Sequence, residues 1–376
     1  MKAIIDRNAL ATALKDAAGV AAKKSTTLAL RCALIRATVD GIWIEANDID
    51  KGIRIPVGGK VEKDGEAIVP AELAARVVER LPKYNEDGDP VAVTVSDEGN
   101  VCLHVEAVGV TADIEGFDDV RASDFPSILW AAGDTPRAVL DAEAFSDLLA
   151  ATLPAVSADD GRPAICGVCI ETDASRIRAI ATDGRRLHVA EAAECTVPVE
   201  RQCVIVSRRH AKWLARRLAD AAGNIAVVFA KGAIEAHLPT GEAYRTRLVE
   251  AVFPEWRKVV PEEEGVGAVV KSYELCAACT RAAVLGEDAA MWLSPEGDDE
   301  IAISTVSKLG KIAERVDAAA ARAIGKTPLS AAYLLDALRA VGGVCATMRG
   351  SGEAMSPVSI RSDNGLRFAV VMPLRV

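Results

Sequence analysis

Aromatic side chains are scarce in this chain. Phe, Trp and Tyr supply 4% of 376 residues, whereas half of all residues are hydrophobic, so the core must be Ala, Val, Leu and Ile. No apolar run reaches the roughly 18 residues of a membrane helix, and the opening Met1-Lys2-Ala3-Ile4-Ile5-Asp6 lacks the apolar stretch of a secretory signal. Together these absences predict a soluble, cytoplasmic protein. Histidine is rarer still: His104, His188, His210 and His237 are scattered, with no nucleophile or orienting acid at a telling spacing. The patterns Gly-x-x-x-x-Gly-Lys-Ser/Thr, Gly-x-Ser-x-Gly and His-Glu-x-x-His are all missing, which excludes a P-loop ATPase and gives no sign of catalysis. Cations are in deficit too. Lys and Arg number 44 against 54 Asp and Glu, a net charge of −10, so the protein does not grip nucleic acid by bulk charge.

Nine cysteines, an odd number in a long chain, fit a reducing compartment better than a disulfide framework. Cys166 and Cys169 lie in a strand-like run, where a spacing of three puts them on opposite faces. Cys276 and Cys279 fall in a helical pattern among small apolar neighbours. No histidine stands at ligand spacing near either pair, so both read as small core residues, and neither metal nor cofactor is expected.

What the chain does contain is a weak threefold repeat. Three times an apolar strand-like run enters a short amphipathic helix: Ala3-Ile4-Ile5-Asp6, Ala138-Val139-Leu140-Asp141 and Ala268-Val269-Val270-Lys271-Ser272. The apolar helix positions Leu10, Phe145 and Leu275 that follow are 135 and 130 residues apart. A second helix recurs in each unit, opened by Pro70, Ser207 and Ser330 and running over Ala71 to Leu81, Arg208 to Leu218 and Ala331 to Val341. Proline and serine suit a helix start, where the first N–H groups lack partners. The remainder is short alternating runs broken by Gly, Asp, Asn or Pro, the pattern of antiparallel sheet. Polar turn-forming stretches at Ala131-Ala132-Gly133-Asp134 and Glu262-Glu263-Glu264-Gly265 divide the chain into three α+β domains, 1–130, 131–263 and 264–376.

Two local features stand out. In Ile180-Ala181-Thr182-Asp183-Gly184-Arg185-Arg186-Leu187-His188-Val189, Asp-Gly between two apolar runs predicts a hairpin, because glycine supplies the positive φ of a tight turn. The helix from Arg208 to Leu218 carries five cations and no anion. At 100° per residue, Ala211, Leu214, Ala215 and Leu218 share one side, while Arg209, Trp213 and Arg216 point the other way, flanked by Lys212 and Arg217. Such a face is either simply solvated or a surface for phosphates that reads no base edges. Lys23-Lys24 is a weaker candidate of the same kind.

Three stretches in order, Ala181-Thr182-Asp183-Gly184-Arg185-Arg186-Leu187, Phe253-Pro254-Glu255-Trp256-Arg257-Lys258-Val259 and Val370-Val371-Met372-Pro373-Leu374-Arg375-Val376, resemble the bacterial DNA sliding clamp, the β subunit of the replicative polymerase. Asn47-Asp48-Ile49-Asp50 and Ser123-Asp124-Phe125-Pro126 extend the resemblance over essentially the whole chain. It implies three like domains per chain and two chains closing head to tail around duplex DNA, helices lining the hole and sheets outside, without catalysis. It also implies a pocket between the second and third domains for short peptides of polymerases, clamp loader and repair proteins. Position by position, that pocket would comprise Ile165, Thr182, Gly184, Arg185, Arg186, Leu187, Pro254, Lys258, Val259, Met355, Pro357, Val370, Val371, Met372, Pro373 and Leu374, with Arg186 and Arg375 meeting polar groups at its edge. DNA contacts carried over are Lys24, Arg162, Arg208 and Arg209, to which the helix face adds Lys212, Arg216 and Arg217. The dimer seam would bring Val108 and Val110 against Val284, Leu285, Lys308 and Lys311. Charge departs from the family pattern here: Glu106, Asp113 and Glu115 mark the first-domain strand, and Lys308, Lys311 and Arg315 the third-domain segment, a reversed seam expected to disfavour mixing with an ordinary clamp. The alternative is a clamp-fold peptide-binding adaptor, or a specialised second clamp, that does not serve as the main replicative ring.

Overall fold

The computed structural model describes residues 1–84, 92–96, 103–117, 120–173, 175–192, 195–197, 200–261, 266–286, 289–350 and 356–375. They form two compact units, Met1–Pro136 with Gly223–Arg247, and Arg137–Ala222 with Leu248–Val376.

The first unit holds helices α1 (Arg7–Val20) and α2 (Ala71–Glu79), packed on one another. Asp6 starts α1 by accepting a hydrogen bond from the Ala9 amide at 2.8 Å, a standard N-cap. Pro70 precedes α2 as its N-cap, and the helix ends two residues short of the span expected from sequence. A five-stranded antiparallel sheet runs in the order Gly59–Lys63, Lys2–Asp6, Ala92–Ser96, Leu103–Ala107, Val110–Ile114. Val110–Ile114 is therefore an edge strand. A second run of seven antiparallel strands follows the order Asn224–Ala230, Ala233–His237, Ala243–Arg247, Lys51–Val57, Gly41–Asn47, Cys32–Thr38, Gly65–Pro70. Two stretches singled out in the sequence meet here: Asn47 donates a hydrogen bond from its side chain to the Pro126 carbonyl at 2.8 Å.

The second unit is organised on one twelve-stranded antiparallel sheet. Its order is Cys203–Ser207, Gly167–Asp173, Arg176–Thr182, Arg186–Glu191, Arg367–Val371, Val358–Ser362, Cys345–Arg349, Ala268–Lys271, Gly310–Ala319, Glu300–Ser307, Ala290–Glu296, Thr327–Ser330. Its helices are α3 (Ala142–Thr152), α4 (Arg208–Leu218), α5 (Ser272–Ala283) and α6 (Ala331–Val341), with α3 against α4 and α5 against α6. Asp141, Ser207 and Ser330 cap α3, α4 and α6 through their side chains, as their sequence positions predict. Helix α5 follows Lys271 with no side-chain cap. Among the described residues no helix is long and apolar enough to cross a membrane.

Two apolar cores lie in this unit. One gathers Leu275, Cys279, Leu334, Leu338, Ile360 and Val371. The other gathers Ile165, Cys169, Ile180, Leu187, Val189, Ile205, Phe253, Trp256, Phe368 and Val370. Only two aromatic rings in this second core touch, Trp256 and Phe368, tilted with centroids 6.0 Å apart. Aliphatic packing dominates, in keeping with the composition.

Candidate functional site: an apolar surface above a strand junction

The site is built where the hairpin meets the Arg367–Val371 strand. The hairpin forms as its sequence predicts: Arg176–Thr182 pairs with Arg186–Glu191, and Gly184 adopts φ +89° at the turn. Asp183 accepts from the Arg185 and Arg186 amides at 2.8 and 3.0 Å, and Thr182 receives the Gly184 amide and donates to the Arg186 carbonyl. A Cβ at Gly184 would reach the Arg162 guanidinium at 3.4 Å on top of its strained backbone. The Arg186–Glu191 strand then pairs with the far end of the chain, Leu187 opposite Val370 and Arg186 opposite Val371. Beyond that strand the Met372 amide donates to the Arg185 carbonyl at 2.9 Å, and the Leu374 amide to the Pro328 carbonyl at 2.8 Å.

Ile165, Leu187 and Val370 thus share one core with Phe253 and Trp256. Above that floor Val259 and Met372 are exposed to 55% and 40%, and Gly184, Arg185, Pro254, Lys258 and Arg375 are exposed as well. An apolar surface with a cationic margin suits short peptides that bury aliphatic side chains.

Several expected residues behave differently. Successive side chains of a strand face opposite ways, so Val371 belongs to the core with α6 while Val370 faces the floor. The two cannot line one pocket together. Arg186 is not a rim charge. Its guanidinium donates to Asp183 at 3.0 Å, to Asp336 of α6 at 2.6 Å and to the Pro154 carbonyl at 2.5 Å, and it stacks 4.4 Å over the Tyr333 ring. It fastens the hairpin to α6, and the outward charge of the turn belongs to Arg185 alone. Pro373 is buried, and Pro357 and Leu374 are half-buried. Met355 lies outside the described residues. Sequence reasoning missed Phe253, Trp256, Tyr333 and Asp336. Phe253 and Trp256 carried a usable signal, as rare aromatics inside the Phe253–Val259 stretch that bears the resemblance.

Beneath the hairpin, His188 is buried and its Nδ1 donates to the Ala151 carbonyl at 3.1 Å. Burial pushes its pKa down to about 4. Glu171, 2% exposed, is gripped by Arg257, by Arg201 at 3.0 Å and by Arg178 at 3.4 Å. Burial alone would raise its pKa, but the hydrogen bonds from Arg257 and Arg201 hold it down at about 2.

On α4 the predicted faces appear. His210, Ala211, Leu214, Ala215 and Leu218 are buried, and the Ser146 hydroxyl of α3 donates to the Ala215 carbonyl at 2.8 Å. Arg208, Arg209, Lys212 and Arg216 are exposed, and Trp213 and Arg217 half-buried. The guanidinium of Arg209 reaches His210 Nε2 at 3.1 Å. Arg162 is exposed, with a 3.4 Å contact to the Asp183 carbonyl that sets it beside the hairpin turn. Lys24 is exposed in the first unit.

Of the residues expected at a seam, Val110 and Lys311 lie on strands with an open edge, Val108 and Lys308 in the turns that lead into those strands, and Val284 and Leu285 just after α5. In the first unit Val108 and Val110 are 57% and 38% exposed at the edge strand, where His104 bonds Asp113 at 2.5 Å and lies 3.3 Å from Glu106. Those carboxylates raise the His104 pKa. In the second unit Gly310–Ala319 pairs along its length with Glu300–Ser307, but only Ala318 and Ala319 pair on the other side. The opposite edge over 310–317 is free of strand partners among the described residues. Val284 (76% exposed) and half-buried Leu285 lie in this unit, as do the exposed Lys308 and Lys311. Arg315, read from sequence as a seam cation, is already paired with Glu296 at 2.6 Å. Among the described residues no group of three or more His, Cys, Asp or Glu is gathered to hold a metal ion.

Residues 139–255 match the family model for the DNA polymerase III beta subunit, central domain. The whole chain is 25% identical over 385 residues to the beta sliding clamp of Caulobacter vibrioides, covering 100% of both. It is similar to the solved DNA polymerase sliding clamp of Pseudomonas aeruginosa with ligand, at TM-score 0.88, 23% identity and full coverage of both chains. It is also similar to a Pseudomonas aeruginosa sliding clamp bound to griselimycin, at TM-score 0.86, 24% identity and full coverage.

Proposed function

We infer that this chain, which belongs to the bacterial beta sliding clamp family, is a processivity factor that encircles duplex DNA and tethers polymerases to it. The observation that carries the reading is the end-to-end likeness, in sequence and in fold, to proteins named as sliding clamps. Three domains, 1–130, 131–263 and 264–376, would each contribute one helix pair, α1/α2, α3/α4 and α5/α6. Two chains join head to tail, the Val110–Ile114 edge of one meeting the open Gly310–Ala319 edge of the other, which closes a ring. The cations of α4, with Lys24 and Arg162, face phosphates. Charge that touches only the backbone lets DNA slide, because it reads no sequence.

Partner peptides from polymerase subunits, clamp loader and repair proteins dock on the apolar surface of Ile165, Leu187, Val259, Val370 and Met372. The clamp itself performs no chemistry, acts in the cytoplasm and is loaded by a separate ATPase. Loading onto nicked circular plasmid, followed by linearisation, tests the topology. The protein stays on the circle and is lost from the cut DNA. A protein that binds a polymerase tail peptide yet is never retained on the circle is an adaptor instead.

A further inference from the structure

A cleft of about 330 Å³ beside the strand junction has an unusual lining. Between the Phe253–Lys258 segment and the edge strand Cys203–Ser207, it is lined by Cys169, Cys203, Glu171, Arg201 and Arg257. Cys169 and Cys203 are 34 residues apart in sequence, and neither forms a Cys-x-x-Cys pair with the other. Strand pairing unites them. Glu171 lies opposite Cys203 and Cys169 opposite Ile205, so the two thiols are diagonal neighbours on one face of adjacent antiparallel strands. Their sulfurs are 3.4 Å apart. A disulfide needs them only about 1.4 Å closer, and the strand that must shift is the last in its sheet, held on its outer side only by the Val206–Leu248 bridge and by the Val249 amide donating to the Ile205 carbonyl.

We propose that Cys203 and Cys169 are a peroxide-responsive thiol pair, with Cys203 the attacking thiol and Cys169 the resolving one. The division of labour follows from exposure. Cys203 is exposed in the cleft, whereas Cys169 is fully buried in the core with Leu187 and Val370. Only the first thiol has to meet the oxidant. Arg201 and Arg257 stand at the cleft and favour the thiolate, as cations beside a cysteine do, against the opposing charge of the Glu171 carboxylate that both of them bind. The hydrogen bond from Cys169 lowers the Cys203 pKa to about 7, and the same contact together with burial raises that of Cys169.

In the first step the Cys203 thiolate attacks a hydroperoxide. An S–O bond forms, the O–O bond breaks, and the departing oxygen leaves with a proton as water or alcohol. In the second, the Cys169 sulfur attacks the sulfenic sulfur, the S–S bond forms, and hydroxide leaves with the Cys169 proton as water. Two thiols and one hydroperoxide thus give one disulfide, one water and one further water or alcohol. A dithiol reductant reverses it by exchange. The product staples the edge strand that leads directly into α4.

The test uses the full-length protein with hydrogen peroxide. Peptide mapping without reductant should show one linked species joining the Cys169 and Cys203 peptides, with a loss of two hydrogen masses, reversed by dithiothreitol. Before oxidation, Cys203 should react with iodoacetamide about tenfold faster than Cys195 near neutral pH. Cys169→Ser should stop at a Cys203 sulfenic acid trapped by dimedone, and Cys203→Ser should leave Cys169 unmodified. Circular dichroism of the reduced variants establishes that each is folded. Linkage of a different pair, or over-oxidation of Cys203 with Cys169 still a free thiol, overturns the proposal.

Discussion

Arg186 and His188 sit two residues apart on one strand and set the chemistry of the hairpin from below. Burial holds His188 neutral in the folded chain, whereas in the unfolded chain it titrates near its ordinary value of 6.5. As pH falls below 6.5, the unfolded state therefore takes up the proton first. Stability is full above that value and declines until the folded value of about 4 is passed. The loss reaches roughly 3 kcal/mol. Urea midpoints at about pH 7 and about pH 5 should separate clearly for the wild type, and much less for His188→Leu. An unchanged separation in that variant would assign the acid sensitivity elsewhere. Arg186 illustrates what a sequence can and cannot carry. The turn that holds it is written in Asp183-Gly184, a local signal. Its partner Asp336 is 150 residues away, and no local pattern joins the two in the sequence.

At the scale of elements, local rules located most of the structure. The caps Asp6, Asp141, Ser207 and Ser330 and the 3.6-residue periodicity place α1, α3, α4 and α6, because capping and amphipathicity act within one or two turns. The order of strands in the sheets was not legible, since pairing depends on contacts across the whole chain. Within the candidate site, Ile165, Leu187 and Val370 fall in one core and Val371 in another, a separation that two-residue alternation along the strand already implies. Helix α4 is the element whose sequence and structure agree most fully, and it supports a direct test. Reversing Arg208, Lys212 and Arg216 to Glu should shorten residence on circular DNA and reduce the salt dependence of binding by about one unit per lost phosphate contact. The melting temperature should barely move, because surface changes away from packed features stay within about 0.5 kcal/mol. Unaltered DNA retention would remove α4 from the lining of the ring.

For the whole molecule, the proposed ring turns on closure. Each chain offers one edge with acidic residues, Glu106, Asp113 and Glu115, and one with exposed Lys308 and Lys311. Like charges across an interface cost several kcal/mol and select against wrong partners. Lys308→Glu with Lys311→Glu should therefore weaken the dimer by at least about tenfold in Kd, as read by sedimentation. Glu106→Lys with Asp113→Lys on the same chain should restore it. Failure of the second pair to rescue the first would mean that the edges do not face one another. Native mass spectrometry after co-expression with an ordinary clamp tests the same complementarity, and mixed rings would end the reversed-seam reading.

The pairing of Leu187 with Val370 joins residues 183 positions apart, and the Arg367–Val371 strand lies between Arg186–Glu191 and Val358–Ser362. Closing so long a loop costs chain entropy before any contact repays it. The hairpin and each helix can form early from their own neighbours, but the strand junction cannot. The candidate apolar surface at that junction is thus a late product of folding. A chain caught before that step would carry well-formed halves and an exposed apolar strand edge, open to rescue by chaperones or to aggregation, and would be blind to every partner that the finished molecule recruits.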